Sequence, residues 1–181
     1  MSKTILVLTG SARTGGNSDQ LADAFVRGAL ASGKNVLRFD AGRKEIGPCV
    51  GCETCFSTGR PCSGSDDFNE FAQYLQQADA IAIFTPIYWF TFPSKIKAAI
   101  DKMYSFYVSK TPTKVKESIL IVCGGDTNQD IYQDMIGTYE QVCKAIGWDN
   151  KGHIIVPGVH EAGKVQATPA IAGMEKIGTY Y

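Results

Sequence analysis

No sign of charge dominates this chain. Its 181 residues carry 18 Lys plus Arg against 18 Asp plus Glu. A surface neutral overall lacks the clustered positive charge that non-specific nucleic-acid binding requires. No apolar run approaches the roughly 18 residues a membrane-spanning helix needs, so no membrane partner is expected. The opening MSKTILVLTGSAR has neither the long apolar core nor the small-residue cleavage site of a secretory leader. A reducing, cytoplasmic setting is therefore expected, and there disulfides are rare. Histidine is scarce: only His153 and His160 occur, both late in the chain and outside any partnered motif, so surface or packing roles are expected of them. At 44% hydrophobic and 20% charged residues, the composition is that of an ordinary soluble globular protein. Its length fits one domain over 1–181.

What the chain does have is a cysteine cluster. Four of the six cysteines, Cys49, Cys52, Cys55 and Cys62, fall in the run CVGCETCFSTGRPC. Three thiolates at C-x2-C-x2-C can take three corners of an iron–sulfur cubane from one loop. The fourth follows after six further residues, a wider gap than in the bacterial ferredoxin run, and lets one loop close round a single [4Fe–4S] centre. Zinc sites more often combine two separated cysteine pairs. Free thiols are the plain alternative. Cys123 and Cys143 read as buried apolar residues.

Hydrophobic periodicity orders the rest. Residues 3–9, 35–40, 78–85, 118–123 and 153–157 read as buried strands. Between them, 18–31, 66–77, 93–104 and 130–146 read as helices. The cysteine segment 49–62 is a Gly- and Pro-containing insertion after the second strand, and the tail 158–181 gives no clear pattern. Strands alternating with helices predict an α/β fold, a doubly wound five-stranded parallel sheet in three α/β/α layers. Such a sheet binds ligands beyond the carboxyl ends of its strands.

The loop after the first strand is Gly10-Ser11-Ala12-Arg13-Thr14-Gly15-Gly16-Asn17-Ser18. It lacks the lysine of a nucleoside-triphosphate loop and the G-x-G-x-x-G of a dinucleotide fingerprint. Its hydroxyls, glycines and arginine suit a single terminal phosphate at a helix start; an ordinary capped turn is the alternative. The third strand ends in Pro86-Ile87-Tyr88-Trp89-Phe90. That density of aromatics predicts a floor for a planar ring, a subunit interface, or both. After the fourth strand, Gly124-Gly125 lets backbone approach a ligand edge.

GS-x-R-x-x-GNS, P-x-Y-W-F-x-x-P-S-x-I-K-x-x-ID and CxxCxxC-x6-C, in this order over residues 3–125, resemble the flavodoxin-like NAD(P)H-dependent FMN reductases, and within them the iron–sulfur flavoproteins. The resemblance implies FMN, with Ser11, Arg13, Asn17 and Ser18 on its phosphate. Pro86, Ile87, Tyr88, Trp89 and Phe90, with Gly124 and Gly125, would line its ring. It further implies NAD(P)H as co-substrate, a small electron acceptor or redox protein as partner, and a homodimer or homotetramer. Since the cofactor carries the chemistry, no catalytic acid, base or nucleophile is assigned. Two other readings stay open: an FMN electron carrier without nicotinamide turnover, and a cysteine-based metal or redox sensor without flavin.

Overall fold

Val7 and Leu8 are successive strand residues, so their side chains leave on opposite faces of the sheet, yet both are buried. The strand is apolar at both parities because helices cover both faces. In the computed structural model, which describes residues 2–181, five strands form one sheet: β1 (Thr4–Thr9), β2 (Asn35–Asp40), β3 (Ala80–Pro86), β4 (Glu117–Cys123) and β5 (Asp149–Val156). Every pairing is parallel and the order is β2-β1-β3-β4-β5, the flavodoxin-like arrangement expected.

Among the described residues the six α-helices are α1 (Asn17–Ala31), α2 (Phe68–Leu75), α3 (Ser94–Lys102), α4 (Tyr104–Ser109), α5 (Gln133–Ile146) and α6 (Ala170–Tyr180). Ile5, Val7, Ala82, Phe84 and Ile121 pack against Leu21 and Phe25 of α1 and Met174 of α6. Leu6, Leu8, Ile83 and Leu120, on the other face, meet Phe71 of α2, Ile96 of α3 and Tyr139 of α5. Two helices thus cover one face and the remainder the other.

Several boundaries shift by up to three residues from the sequence expectation, and three differences are larger. The helix expected over 93–104 stops at Lys102 and restarts as α4 after Met103. β5 begins at Asp149 rather than His153; its first residues are polar and exposed because it is an edge strand. The unassigned tail contains α6, which crosses α1 at a contact between backbones. A Cβ on Gly28 would lie 1.9 Å from the Glu175 carbonyl oxygen, and one on Gly178 would lie 2.0 Å from that of Phe25. Only glycine fits at such a crossing.

Candidate functional site

β1 and β3 are neighbours, but the chain leaves β1 for α1 on one face and β3 for α3 on the other. The gap between them is the switch point of the fold. A cleft opens there, lined by the loop after β1, by Pro86, Ile87 and Tyr88, and by Cys123, Gly124 and Gly125.

The first loop is shaped from within. Ser11 Oγ accepts from the Arg13 amide at 3.0 Å, and Gly15, at φ 68°, donates its N–H to Asp19 Oδ2 at 3.1 Å. Asp19 is buried and held by Arg43 at 2.8 Å, so the loop rests on a paired carboxylate. No side chain caps α1 at Gly16. The N–H groups of a helix's first turn have no intrahelical acceptor, and here Gly16, Asn17 and Ser18 line the cleft. Arg13 is exposed and pairs with no carboxylate among the described residues. An uncapped helix start beside an unpaired guanidinium suits an anion, so these residues fit the phosphate of FMN.

Asn17 is engaged elsewhere. Its Nδ2 donates to the Val159 and Glu161 carbonyls at 3.0 and 2.8 Å, and its Oδ1 accepts from the Val165 amide at 3.2 Å. Both amide hydrogens are used, so Asn17 anchors the segment after β5 to the first loop. That segment brings Val159, His160 and Ala162 into the cleft. Sequence reasoning missed these three, and expected no site role of His160. No local signal marked them, because the contact is made across the whole chain.

At the other end Ile87 N donates to the Cys123 carbonyl at 2.9 Å, binding the β3 loop to the end of β4. Burial pushes the Cys123 thiol up to about 12, so it is neutral near pH 7 and acts as the apolar residue expected. Gly124 and Gly125 line the cleft as expected, and packing is close at both. A Cβ on Gly124 would sit 2.5 Å from the Tyr132 hydroxyl, and one on Gly125 would sit 3.0 Å from His160.

Trp89 and Phe90 lie outside this cleft. They sit at the tip of a turn closed by Tyr88 N to Thr91 O at 2.9 Å and Thr91 N to Tyr88 O at 3.1 Å. Both have positive φ, 44° and 68°, a geometry in which aromatic residues are strained. Trp89 is 89% exposed. Together they line an open shelf beside the cleft with Gly125, Asp126, Ile131 and His160.

The four clustered cysteines line a second cavity with Asp66, Lys102 and Ser105. Its loop is closed at the base. Asp66 Oδ2 accepts from Gly47 N at 2.9 Å and Asp67 Oδ2 from Glu45 N at 2.8 Å. Asn69 bonds the backbone N–H and carbonyl of Cys62 at 3.0 and 3.1 Å. Glu53 and Phe56 take left-handed backbone at φ 55° and 60°, a costly conformation flanking the middle thiols. Among the described residues no three Cys, His, Asp or Glu side chains converge as ligands of one ion. A zinc ion would need four such atoms within about 2.3 Å of one point. Burial, then the neighbouring Cys52, Cys62 and Cys49, push the Cys55 thiol up, while bonds from Thr54 and Ser63 lower that of Cys52. The four cysteines thus share one cavity without converging on a single ion.

A sequence profile described as NADPH-dependent FMN reductase matches residues 4–134. The chain belongs to this family. An iron–sulfur flavoprotein of Archaeoglobus fulgidus is 28% identical over 155 residues, covering 84% of this chain and 67% of that protein. A Bacillus subtilis protein named provisionally as an NAD(P)H-dependent FMN-containing oxidoreductase, YwqN, is 27% identical over 85% of this chain and 84% of its own. Among solved structures, an NAD(P)H:quinone oxidoreductase from Methanothermobacter marburgensis superposes with a TM-score of 0.75 at 18% identity, covering 99% and 96% of the two chains. That likeness shows the shared fold. As a member of the FMN reductase family, the chain is an NAD(P)H-dependent FMN oxidoreductase, and its cofactor is FMN. No described helix is long and apolar enough to cross a membrane.

Proposed function

We propose that this reductase binds FMN in the switch-point cleft and passes electrons from NAD(P)H to a small acceptor or redox protein, with a [4Fe–4S] cluster on Cys49, Cys52, Cys55 and Cys62 as a second centre. The supporting observation is the meeting of three loops in one cleft. An anion-fitting helix start lies at one end, and the apolar Pro86–Ile87–Tyr88 with two glycines lies at the other.

FMN, when bound, accepts hydride from the nicotinamide and can release electrons singly or in pairs. The protein's part is to bind and orient. Ser18, Arg13 and the first-turn amides of α1 hold the phosphate, while Ser11 and Asn17 keep the loop in shape. Ile87, Tyr88 and Gly124 place the ring, and the neutral Cys123 contributes an apolar wall. The strained Trp89–Phe90 turn supplies the shelf for the incoming partner and the contact of a homodimer or homotetramer, because an exposed aromatic pair held at an energetic cost needs a covering surface.

The test is anaerobic purification followed by visible spectroscopy, iron and sulfide analysis, and chromatography of the heat-released ligand. One FMN and one four-iron cluster per chain, with NADH or NADPH bleaching the flavin, is the expected result. Release of FAD, or no flavin after incubation with excess FMN, overturns the cleft assignment. Four titratable thiols without iron overturn the cluster alone.

A further inference from the structure

Lys102 ends α3 and Ser105 lies three residues on, in α4. Both line the cysteine cavity, and both are buried, at 7% and 1% exposure. Lysine is rarely buried so deeply without a reason. Its ammonium pairs with Asp66, whose carboxylate also accepts from Gly47 N at 2.9 Å and Phe68 N at 3.2 Å. That uses one of the three ammonium donors. The Ser105 hydroxyl has no partner among the described residues, although buried polar groups are nearly always bonded. Gly64 links this wall to the ligand set. A Cβ there would lie 3.4 Å from Cys62 Sγ and 4.0 Å from Lys102 Nζ, so thiol and ammonium flank one point.

We propose that Lys102 and Ser105 are positioning residues for the cysteine-held cluster, offsetting its negative charge and setting its reduction potential. This rests on the cluster reading given above. Gaining one electron adds one negative charge, with no bond formed or broken, to a centre already ligated by thiolates. A buried cation and a hydroxyl donor stabilise that reduced form, and net charge and hydrogen bonds to sulfur are known levers on cluster potential. Asp66 opposes the effect while holding Lys102 and the loop base in place. A merely structural ion pair would give no sign to the potential; a charge-setting pair gives opposite signs for its two members.

The full-length protein, reconstituted anaerobically with iron and sulfide, is titrated spectroelectrochemically beside Lys102→Met, Lys102→Arg, Asp66→Asn and Ser105→Ala. Lys102→Met and Ser105→Ala should lower the cluster's midpoint and Asp66→Asn should raise it, with Lys102→Arg near the parent. For Lys102→Met we expect at least a tenfold change in the oxidised-to-reduced ratio at fixed potential, which is 59 mV for one electron. Loss of iron from Lys102→Met but not from Lys102→Arg also supports the assignment. Should Lys102→Met not fold, Ser105→Ala decides, since it deletes only an unbonded hydroxyl. An iron-loaded parent whose variants keep its midpoint, or Lys102→Met and Asp66→Asn moving it the same way, overturns this proposal alone. A parent that takes up neither iron nor sulfide overturns the cluster reading and this proposal with it.

Discussion

The Asn17 side-chain amide donates to the Glu161 carbonyl at 2.8 Å, joining the start of α1 to a residue 144 positions away. With its companion bonds to Val159 and Val165, this contact makes the tail part of the cleft proposed for FMN. Asn17→Ala removes three hydrogen bonds, two buried and one part-buried. At about 1 kcal/mol net for each, urea unfolding of the FMN-free protein should show a loss of about 2–3 kcal/mol. FMN affinity should fall as well, because His160 and Val159 lose their anchor.

Arg13 should behave in the opposite manner. Its side chain is exposed and engages no carboxylate, so Arg13→Ala should leave unfolding within about 0.5 kcal/mol of the parent, as for most surface changes. FMN binding should weaken by about 1.5–3 kcal/mol, the scale of a charged hydrogen bond. Calorimetric titration with FMN checks this; unchanged affinity removes Arg13 from the phosphate site.

Two glycines of α6 separate packing from propensity. Gly178→Ala forces a Cβ to 2.0 Å from the Phe25 carbonyl oxygen and should cost about 2–3 kcal/mol through overpacking. Gly173 has open space around it, so Gly173→Ala should stabilise by about 0.5–1 kcal/mol through helix propensity. Thermal melts of the two variants should therefore move in opposite directions.

The Trp89–Phe90 turn can be relaxed. Replacing the pair by Asn-Gly, the sequence favoured where both central residues have positive φ, should raise stability by about 1 kcal/mol. It should also abolish self-association, read by sedimentation velocity. An assembly unaffected by this change places the subunit contact elsewhere.

Acid sensitivity follows from two carboxylates. Burial raises the Asp40 carboxyl, but bonds from Arg38, Thr9 and Arg43 outweigh it, so it stays below 3.8. The Thr4 amide, then Lys114, hold Asp79 below 3.8. Folded-state values depressed in this way give stability that is fully present above the unfolded value and is lost as pH falls through the folded one. Unfolding free energy should therefore be flat with respect to these groups from about pH 7 to about pH 5 and fall below about pH 4. Asp40→Asn should flatten the acid limb measured by urea titration at each pH.

The parallel, doubly wound sheet was legible in the chain because it depends on local signals. Apolar runs such as Ile5–Leu8 and Ile81–Phe84 declare strands buried on both faces. Alternating helices force parallel pairing, and parallel pairing places ligand loops at the strands' carboxyl ends. The proposed roles of the Gly10–Ser18 loop and of the cysteine spacing likewise rest on a few neighbouring residues. Three features had no local signal. Asn17 looked like a ligand by its neighbours, but its donors are claimed by carbonyls of the tail. His160 looked idle, but the turn after β5 sets it over Gly125. Lys102 drew no reading from the sequence, but the end of α3 buries it against Asp66 in the cysteine cavity. Local residue pattern determined which segments fold and what they can bind. Only the docking of distant segments decided which polar atoms remained free to do so, because a hydrogen bond between residues over a hundred positions apart leaves no trace in the neighbours of either one.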